Sequence, residues 1–484
     1  MNVINQDVSL LALYILIAAL ILRTVYAAQR GPLSKLPGPE ISKWTSLVVT
    51  YHWLLGQRIY YIASLHDKYG PVVRVSPSEV DFADVAVTRE LHRVGTPFVK
   101  AQFYKDLVPL GQNVFAQTDP KRHAERRRLL ASPISDSSLT RFESVVDSKV
   151  RLALDRAATE LETRGAADMF QWWLFMATDV IGELSFGESF RMLENGKKNQ
   201  YSYDLEQIAG FQPFRTTFPL IVKLAKYVTL PFFWKISAAG QRMGKYAQAS
   251  IDRYQSILAR DGQQAKETLF SKVWTKSELT ADDIRNEAQG YIVAGSDTTA
   301  VTMTYLLYSV LKHEDVRKKL LAELDTLPVN YTDKDLRQLR YMDQVIHETL
   351  RLYAPVPSAL PRAVPPGGAQ LAGYNLPGGV TVSTQAYTLH RMVDVWPNPE
   401  RFDPERWASP SKEMKEVFMA FGGGSRVCLG IHLARMELRI ATARFFQKFP
   451  TARLSTKEGM SAEDMESVCY FLMAPKGHRL LLEA

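Results

Sequence analysis

Cysteine is nearly absent from this chain, which has only Cys428 and Cys469 in 484 residues. Two cysteines make no disulfide framework, and such scarcity in a long chain points to a reducing compartment; a single Cys428–Cys469 bridge is the bland alternative. Charge of one sign is never concentrated either. The 59 Lys+Arg against 51 Asp+Glu give a net +8 that is spread along the sequence. No basic run is interleaved with aromatics, so a nucleic-acid binder is excluded. After residue 40 there is no Gly/Ser linker, no low-complexity block and no internal repeat. Length alone would allow two or three domains, but without a linker one large domain is expected, and 46% hydrophobic residues can fill its core.

Common catalytic signatures are missing as well. No G-x-G-x-x-G follows a strand pattern and no G-x-x-x-x-G-K-[ST] occurs, which removes an evident dinucleotide fold or phosphate loop. His313-Glu314 and His347-Glu348 open like the H-E-x-x-H zinc signature, but Arg317 and Arg351 occupy the closing position. The hydrolase elbow G-x-S-x-G is absent.

What is present begins at the N-terminus. Val8 to Leu22 is nearly unbroken apolar sequence, continuing past Arg23 through "TVYAA". A helix of roughly 20 residues at about 1.5 Å per residue crosses a bilayer. No Lys or Arg precedes it, whereas Arg23, Arg30, Lys35 and Lys43 follow, which puts the body of the protein in the cytosol. A cleaved signal peptide ending near "VYAA" is the competing reading, against which stands the lack of positive charge ahead of the apolar run. In "GPLSKLPGPE", Pro32, Pro37 and Pro39 stop the helix. The expected division is an anchor over 1–29, a stiff Pro-rich hinge over 30–40 and a single body over 41–484.

The body reads as mainly α with small β-sheets. Thr280 and Asp283 form a capping-box start for a helix reaching to about His313, apolar on nearly every side in its middle and therefore buried. Further helical patterns cover Asp335 to Tyr353 and the stretch after Cys428. Strand-like pieces are short: 71–77, 369–385 and a final hairpin near 467–482.

Cys428 lies in "FGGGSRVCLG", among glycines, two positions after Arg426 and ahead of a helix. Helix N-terminal amides lower a thiol pKa, the glycines admit a flat ligand, and Arg426 offers a cation. Axial thiolate ligation of haem iron would use all of these features, whereas a buried structural cysteine explains neither glycines nor arginine. The stretch resembles the F-x-x-G-x-R-x-C-x-G signature of the cytochrome P450 family through Phe421, Gly424, Arg426, Cys428 and Gly430.

"AGSDTT", Ala294 to Thr299, is similar to the family's oxygen-activation motif. Gly295 would leave room for dioxygen or substrate, and Asp297 with Thr298 sets an acid beside a hydroxyl for proton relay. The E-x-x-R pattern occurs from Glu90, Glu125, Glu188, Glu314 and Glu348, and most are expected to be solvated pairs. Only Glu348–Arg351 is followed by "RFDPERW", so the resemblance carries the family's structural lock to Glu348, Arg351 and Arg406. It further implies His123, Arg127, Arg362 and Arg426 as partners of the haem propionates, with His123 standing where tryptophan is common. Surface cations are the competing reading for Arg127.

The resemblance spans roughly residues 36–484 and implies the cytochrome P450 fold, haem b (iron protoporphyrin IX) with Cys428 as the metal ligand, and a membrane-anchored monooxygenase. Asp297 and Thr298 would be catalytic, assisting proton delivery while dioxygen is activated to hydroxylate or epoxidise a hydrophobic small molecule. The chain contains no flavin module, so NADPH-cytochrome P450 reductase is the implied electron donor, with cytochrome b5 as an accessory one. Lys121, Arg122, Arg126 and Arg128 form a candidate docking face, with a plain solvated helix face as the equal alternative. The implied location is the endoplasmic reticulum membrane, single-pass, with the catalytic domain cytosolic. Pocket walls are expected from "TPFVKAQFYKDL", "AGFQPFRTTFPL", "PVPSALP" and "CYFLM". Stretches such as "GELSFGESFRMLENGKKNQY" resemble fungal secondary-metabolism members acting on polyketides or terpenoids. Two rivals are a haem-thiolate isomerase or dehydratase needing no reductase, and a non-catalytic haem-binding membrane protein. Neither needs the Asp297-Thr298 pair.

Overall fold

The computed structural model describes residues 2–108, 113–224, 231–262, 267–271 and 279–484. Helices dominate, and the largest core cluster is built around two of them. Ala281–Lys312 starts at the capping box expected from the sequence, with the Thr280 side chain and the Asp283 side chain each accepting from the other's backbone amide. Such a cap stabilises a helix by about 1 kcal/mol. The helix then runs through the core, burying Ala300 to Val310 without interruption. Met169–Phe186 lies along it, with Trp173 and Phe175 fully buried.

The helical pattern from Asp335 to Tyr353 resolves into two helices, Asp333–Leu336 and Arg340–Leu352. The break has a local cause. The carboxylate of Glu323 accepts from the Tyr341 and Met342 amides at 2.8 Å each, which starts a new helix at that point.

A five-stranded sheet joins Val72–Ser76, Glu79–Phe82, Thr381–Ser383, Arg362–Ala363 and Val99–Lys100 in that spatial order. It covers the second core cluster, to which Leu33 and Leu36 belong. The Pro-rich segment is therefore tied to the sheet, with Arg74 donating from its amide to Pro37 O at 2.7 Å and from Nη1 to Leu33 O at 3.1 Å. The expected final hairpin forms only between Ser467–Cys469 and Met473–Pro475. Leu481–Glu483 turns away to pair with Ala167–Asp168 and Arg453–Leu454. His478, at φ 48°, redirects the chain between them.

At the other end, Asn2–Gln29 is one helix whose Leu11–Gln29 stretch has mean hydropathy 2.1 and is 6% buried. It is long and apolar enough to cross a membrane.

Candidate functional site

Both cysteines are free, but their settings differ. Cys469 is fully buried on a strand, its thiol against Ser358 Oγ at 3.1 Å, and burial pushes it up to about 12. Cys428 opens onto a cavity of about 460 Å³. Its loop is held by the Cys428 amide donating to Phe421 O at 2.8 Å, and by Gly424 at φ +56°. A Cβ on Gly424 would run into the His92 carbonyl, so glycine here lets the loop rest on the end of the Val85–His92 helix. Gly430 is the N-cap of Ile431–Lys448, and it and Phe421 line the cavity.

Cations converge on the same cavity. Lys100 and Arg362 face each other as partners of adjacent antiparallel strands, and both are buried. His123, Arg127 and Arg426 join them along the wall. The arginines donate to protein oxygens: Arg127 to Val427 O at 2.7 Å, Arg426 to Gln117 O at 2.7 Å, Arg362 weakly to Pro361 O at 3.4 Å. Lys100 Nζ donates to Phe115 O at 2.6 Å. Among the described residues no carboxylate forms an ion pair with any of the four. Burial, and then the neighbouring cations, press His123 down to about 3 and Arg426 to about 10. The imidazole is therefore neutral.

The Ala281–Lys312 helix brings Asp297 and Thr298 to the wall. Thr298 Oγ1 donates to Ala294 O, one turn back, at 2.7 Å. Thr299, also on the wall, donates to Glu437 Oε2 at 2.9 Å. Glu437 is 2% exposed, its Oε1 meets no partner among the described residues, and burial pushes it up to about 8. Each of the four stretches expected to wall the pocket contributes, with Tyr104, Gln212, Val356 and Phe471 among the lining residues.

Behind the cysteine loop lies Glu348–Arg351, both at 0% exposure and joined through two hydrogen bonds of 2.8 Å. Arg406 Nε at 3.0 Å and Trp407 Nε1 at 2.9 Å also donate to Glu348. Arg351 Nη1 donates to His390 O and Pro399 O, each at 2.7 Å. His390 then links this cluster to the loop. Its Nε2 accepts from the Met419 amide at 2.9 Å, which leaves the proton on Nδ1 to be donated to Arg351 O at 2.8 Å. By contrast, Glu90–Arg93 is an exposed pair of little energetic weight, and Glu314–Arg317 is only half-covered, with Glu314 exposed.

Two expectations need correction, and a third gains a second reason. Arg126 does not belong to an exposed docking face. It is largely covered and pairs across to Asp283 and Glu287, leaving Lys121, Arg122 and Arg128 exposed. Gly295 lines the cavity, and a Cβ there would come within 2.8 Å of Ile181 Cγ1, so its smallness also lets two helices pack closely. The Cys428 thiol is raised, not lowered: burial outweighs the Gly430 amide and Arg127, which pull the other way. Glu437 and Glu287 also line the cavity without a motif to announce them, and Lys100 and Arg215 do so from stretches expected only as apolar walls.

A sequence profile described as "Cytochrome P450" matches residues 39–482. The chain is 49% identical over 484 residues to "Cytochrome P450 monooxygenase tazI" of Aspergillus terreus, covering 99% of each. To "Cytochrome P450 monooxygenase cypX" of Dothistroma septosporum it is 35% identical over 474 residues, covering 92% of this chain and 90% of the relative. Among solved structures, a retinoic acid-bound cyanobacterial CYP120A1 superposes with TM-score 0.69 at 22% identity, covering 86% of this chain and 92% of that one.

Proposed function

The chain belongs to the cytochrome P450 family and is a monooxygenase, and from that premise we propose that it hydroxylates or epoxidises a hydrophobic small molecule in the cavity that Cys428 and Thr298 share. Family membership implies a haem-thiolate cofactor, and the residues present fit one. Lys100 faces Arg362 across the sheet, where burial and then that cation press it well below the ordinary lysine value, so an anion between them would favour both cations. Arg127, Arg426 and neutral His123 add donors to the same wall. A porphyrin such as haem b supplies two carboxylates, and Cys428 a thiolate, because a metal deprotonates a coordinating thiol outright whatever its resting pKa.

Cys428 would ligate the iron, and Lys100, His123, Arg127, Arg362 and Arg426 would hold the propionates. Phe421, Gly424 and Gly430 shape the loop that presents the sulfur. When bound, the haem activates dioxygen with electrons from outside the chain. Thr298 sets its hydroxyl on the cavity wall with the proton resting on Ala294 O, from which it would turn to donate into the cavity. Asp297, next to it, exchanges that proton with solvent.

NADPH-cytochrome P450 reductase supplies the electrons, with cytochrome b5 as an accessory donor, and Lys121, Arg122 and Arg128 contribute to the docking face. Residues 1–29 anchor a cytosolic body, 41–484, to the endoplasmic reticulum membrane, with 30–40 between them. Exposed Leu220, Ile221, Leu224 and Trp234 give that body an apolar surface of its own for the bilayer. The relatives being fungal monooxygenases, the substrate is proposed to be a secondary metabolite of polyketide or terpenoid type.

One observation carries the reading: a free thiol, a wall hydroxyl and a cluster of cations that form no ion pair among the described residues line a single cavity. The test is reconstitution with reductase and NADPH. Substrate-dependent oxygen uptake with an oxygenated product supports it; turnover that needs no reductase would instead support the isomerase or dehydratase.

A further inference from the structure

The cavity's apolar lining, with Leu107, Val108, Ile208, Phe471 and Leu472, is interrupted by one guanidinium that the cofactor reading does not use. Arg215 lies on Gln200–Thr217, one turn beyond Gln212 and on the same side as Ile208, which also line the cavity. Its Nη2 donates to Leu107 O at 2.7 Å. Its Nε is buried and meets no partner among the described residues. Among those residues it forms no ion pair. Burial lowers its pKa from the ordinary arginine value, and no carboxylate offsets the shift. A guanidinium has five N–H donors, so one bond to a carbonyl leaves most of them unused. Other covered arginines spend their donors more fully: Arg126 takes Asp283 and Glu287, Arg439 takes Asp333, and Arg74 donates to three backbone carbonyls.

We propose that Arg215 is a specificity-determining residue that binds a carboxylate of an otherwise apolar substrate, so that the enzyme selects an acid over its neutral ester. This deepens the monooxygenase reading and rests on it for the identity of the cavity, but the binding preference itself is measurable without turnover. Two donors on one guanidinium suit the two oxygens of a carboxylate. The cavity walls supply affinity for the apolar body, and Gln212 is a neutral neighbour that does not compete for the anion. The alternative role for Arg215 is to clamp Gln200–Thr217 onto the Phe103–Leu107 helix through Leu107 O.

The test uses the full-length, haem-loaded protein in detergent micelles and equilibrium dialysis at neutral pH, with 1-naphthylacetate and its methyl ester as probes. Wild type is expected to bind the acid about tenfold or more tighter than the ester. Arg215→Met should bring the two affinities together by weakening the acid alone. Arg215→Lys should keep a reduced acid preference. The reduced carbon monoxide spectrum of each variant reports whether the site is intact, and Arg215→Gln replaces Arg215→Met if the latter does not assemble. No acid preference in wild type, an acid preference that survives Arg215→Met, or an equal loss for both probes would each overturn the inference. An acid preference without any reductase-driven turnover would leave the inference standing and overturn the monooxygenase reading instead.

Discussion

Lys100 and Arg362 are direct partners across two antiparallel strands, 8% and 3% exposed, with no carboxylate paired to either among the described residues. Burial, and then Arg362 and Arg426, press the Lys100 ammonium well below the ordinary lysine value, a cost that an anion bound between the two cations would offset. Lys100→Met, close in length and without charge, should therefore leave the empty protein at least as stable while the loaded protein loses haem faster. A hydrogen bond to a charged group is worth about 1.5–3 kcal/mol, so haem transfer to apomyoglobin should accelerate about tenfold or more. An unchanged rate would remove Lys100 from the haem site.

Arg351→Ala should abolish haem loading, whereas Arg93→Ala and Arg317→Ala should not. Removing one member of a buried pair costs about 3–5 kcal/mol. Here the damage also reaches the cysteine loop, through the Arg351–His390–Met419 chain of hydrogen bonds. Haem content per chain, read from the pyridine haemochrome, distinguishes the three variants. Normal loading of Arg351→Ala would show that this chain does not support the loop.

Glu437 predicts a pH dependence. Its folded pKa is raised to about 8 by burial, so between the ordinary carboxyl value and about pH 8 the unfolded state holds fewer protons than the folded one. Stability contributed by this group is thus full at low pH and is lost as pH rises toward 8. Glu437→Gln still accepts from Thr299 and does not titrate. Its melting temperature should exceed that of wild type by a margin that grows from pH 5 to pH 8. A margin independent of pH would mean that Glu437 titrates normally.

Thr298→Ala removes the wall hydroxyl and improves helix propensity, so the fold and the haem content should survive. NADPH oxidation should continue while product falls and hydrogen peroxide rises, because the proton held at Thr298 Oγ1 is gone. Measuring peroxide and product together on the true substrate checks this. Unchanged coupling would assign proton delivery to another group.

The cysteine loop was legible because its chemistry is local: a thiol, an arginine two positions earlier and glycines at fixed spacing all lie within ten residues. The Thr280–Asp283 cap was legible for the same reason. Lys100 was not, since its partner Arg362 reaches it only through a pairing of two-residue strands that leave no periodic pattern. Arg126 sits among similar cations on one helix, and only the packing of Asp283 and Glu287 against it separates it from Arg128. The packing of Gly295 against Ile181 was not legible, because Ile181 comes from a different helix. The split after Leu336 escaped notice because the carboxylate that caps the second helix, Glu323, belongs to a helix packed alongside.

The central claim is that Cys428, and not Cys469, is the iron ligand, and the most direct measurement is the reduced carbon monoxide spectrum of two single variants. Cys469 is sealed on its strand against Ser358, so Cys469→Ala should retain haem and the red-shifted Soret band of a thiolate-ligated complex. Cys428→Ala should lose that band entirely, with any residual haem absorbing where a non-thiolate ligand puts it. A red-shifted band that persists in Cys428→Ala and vanishes in Cys469→Ala would contradict the account at its root.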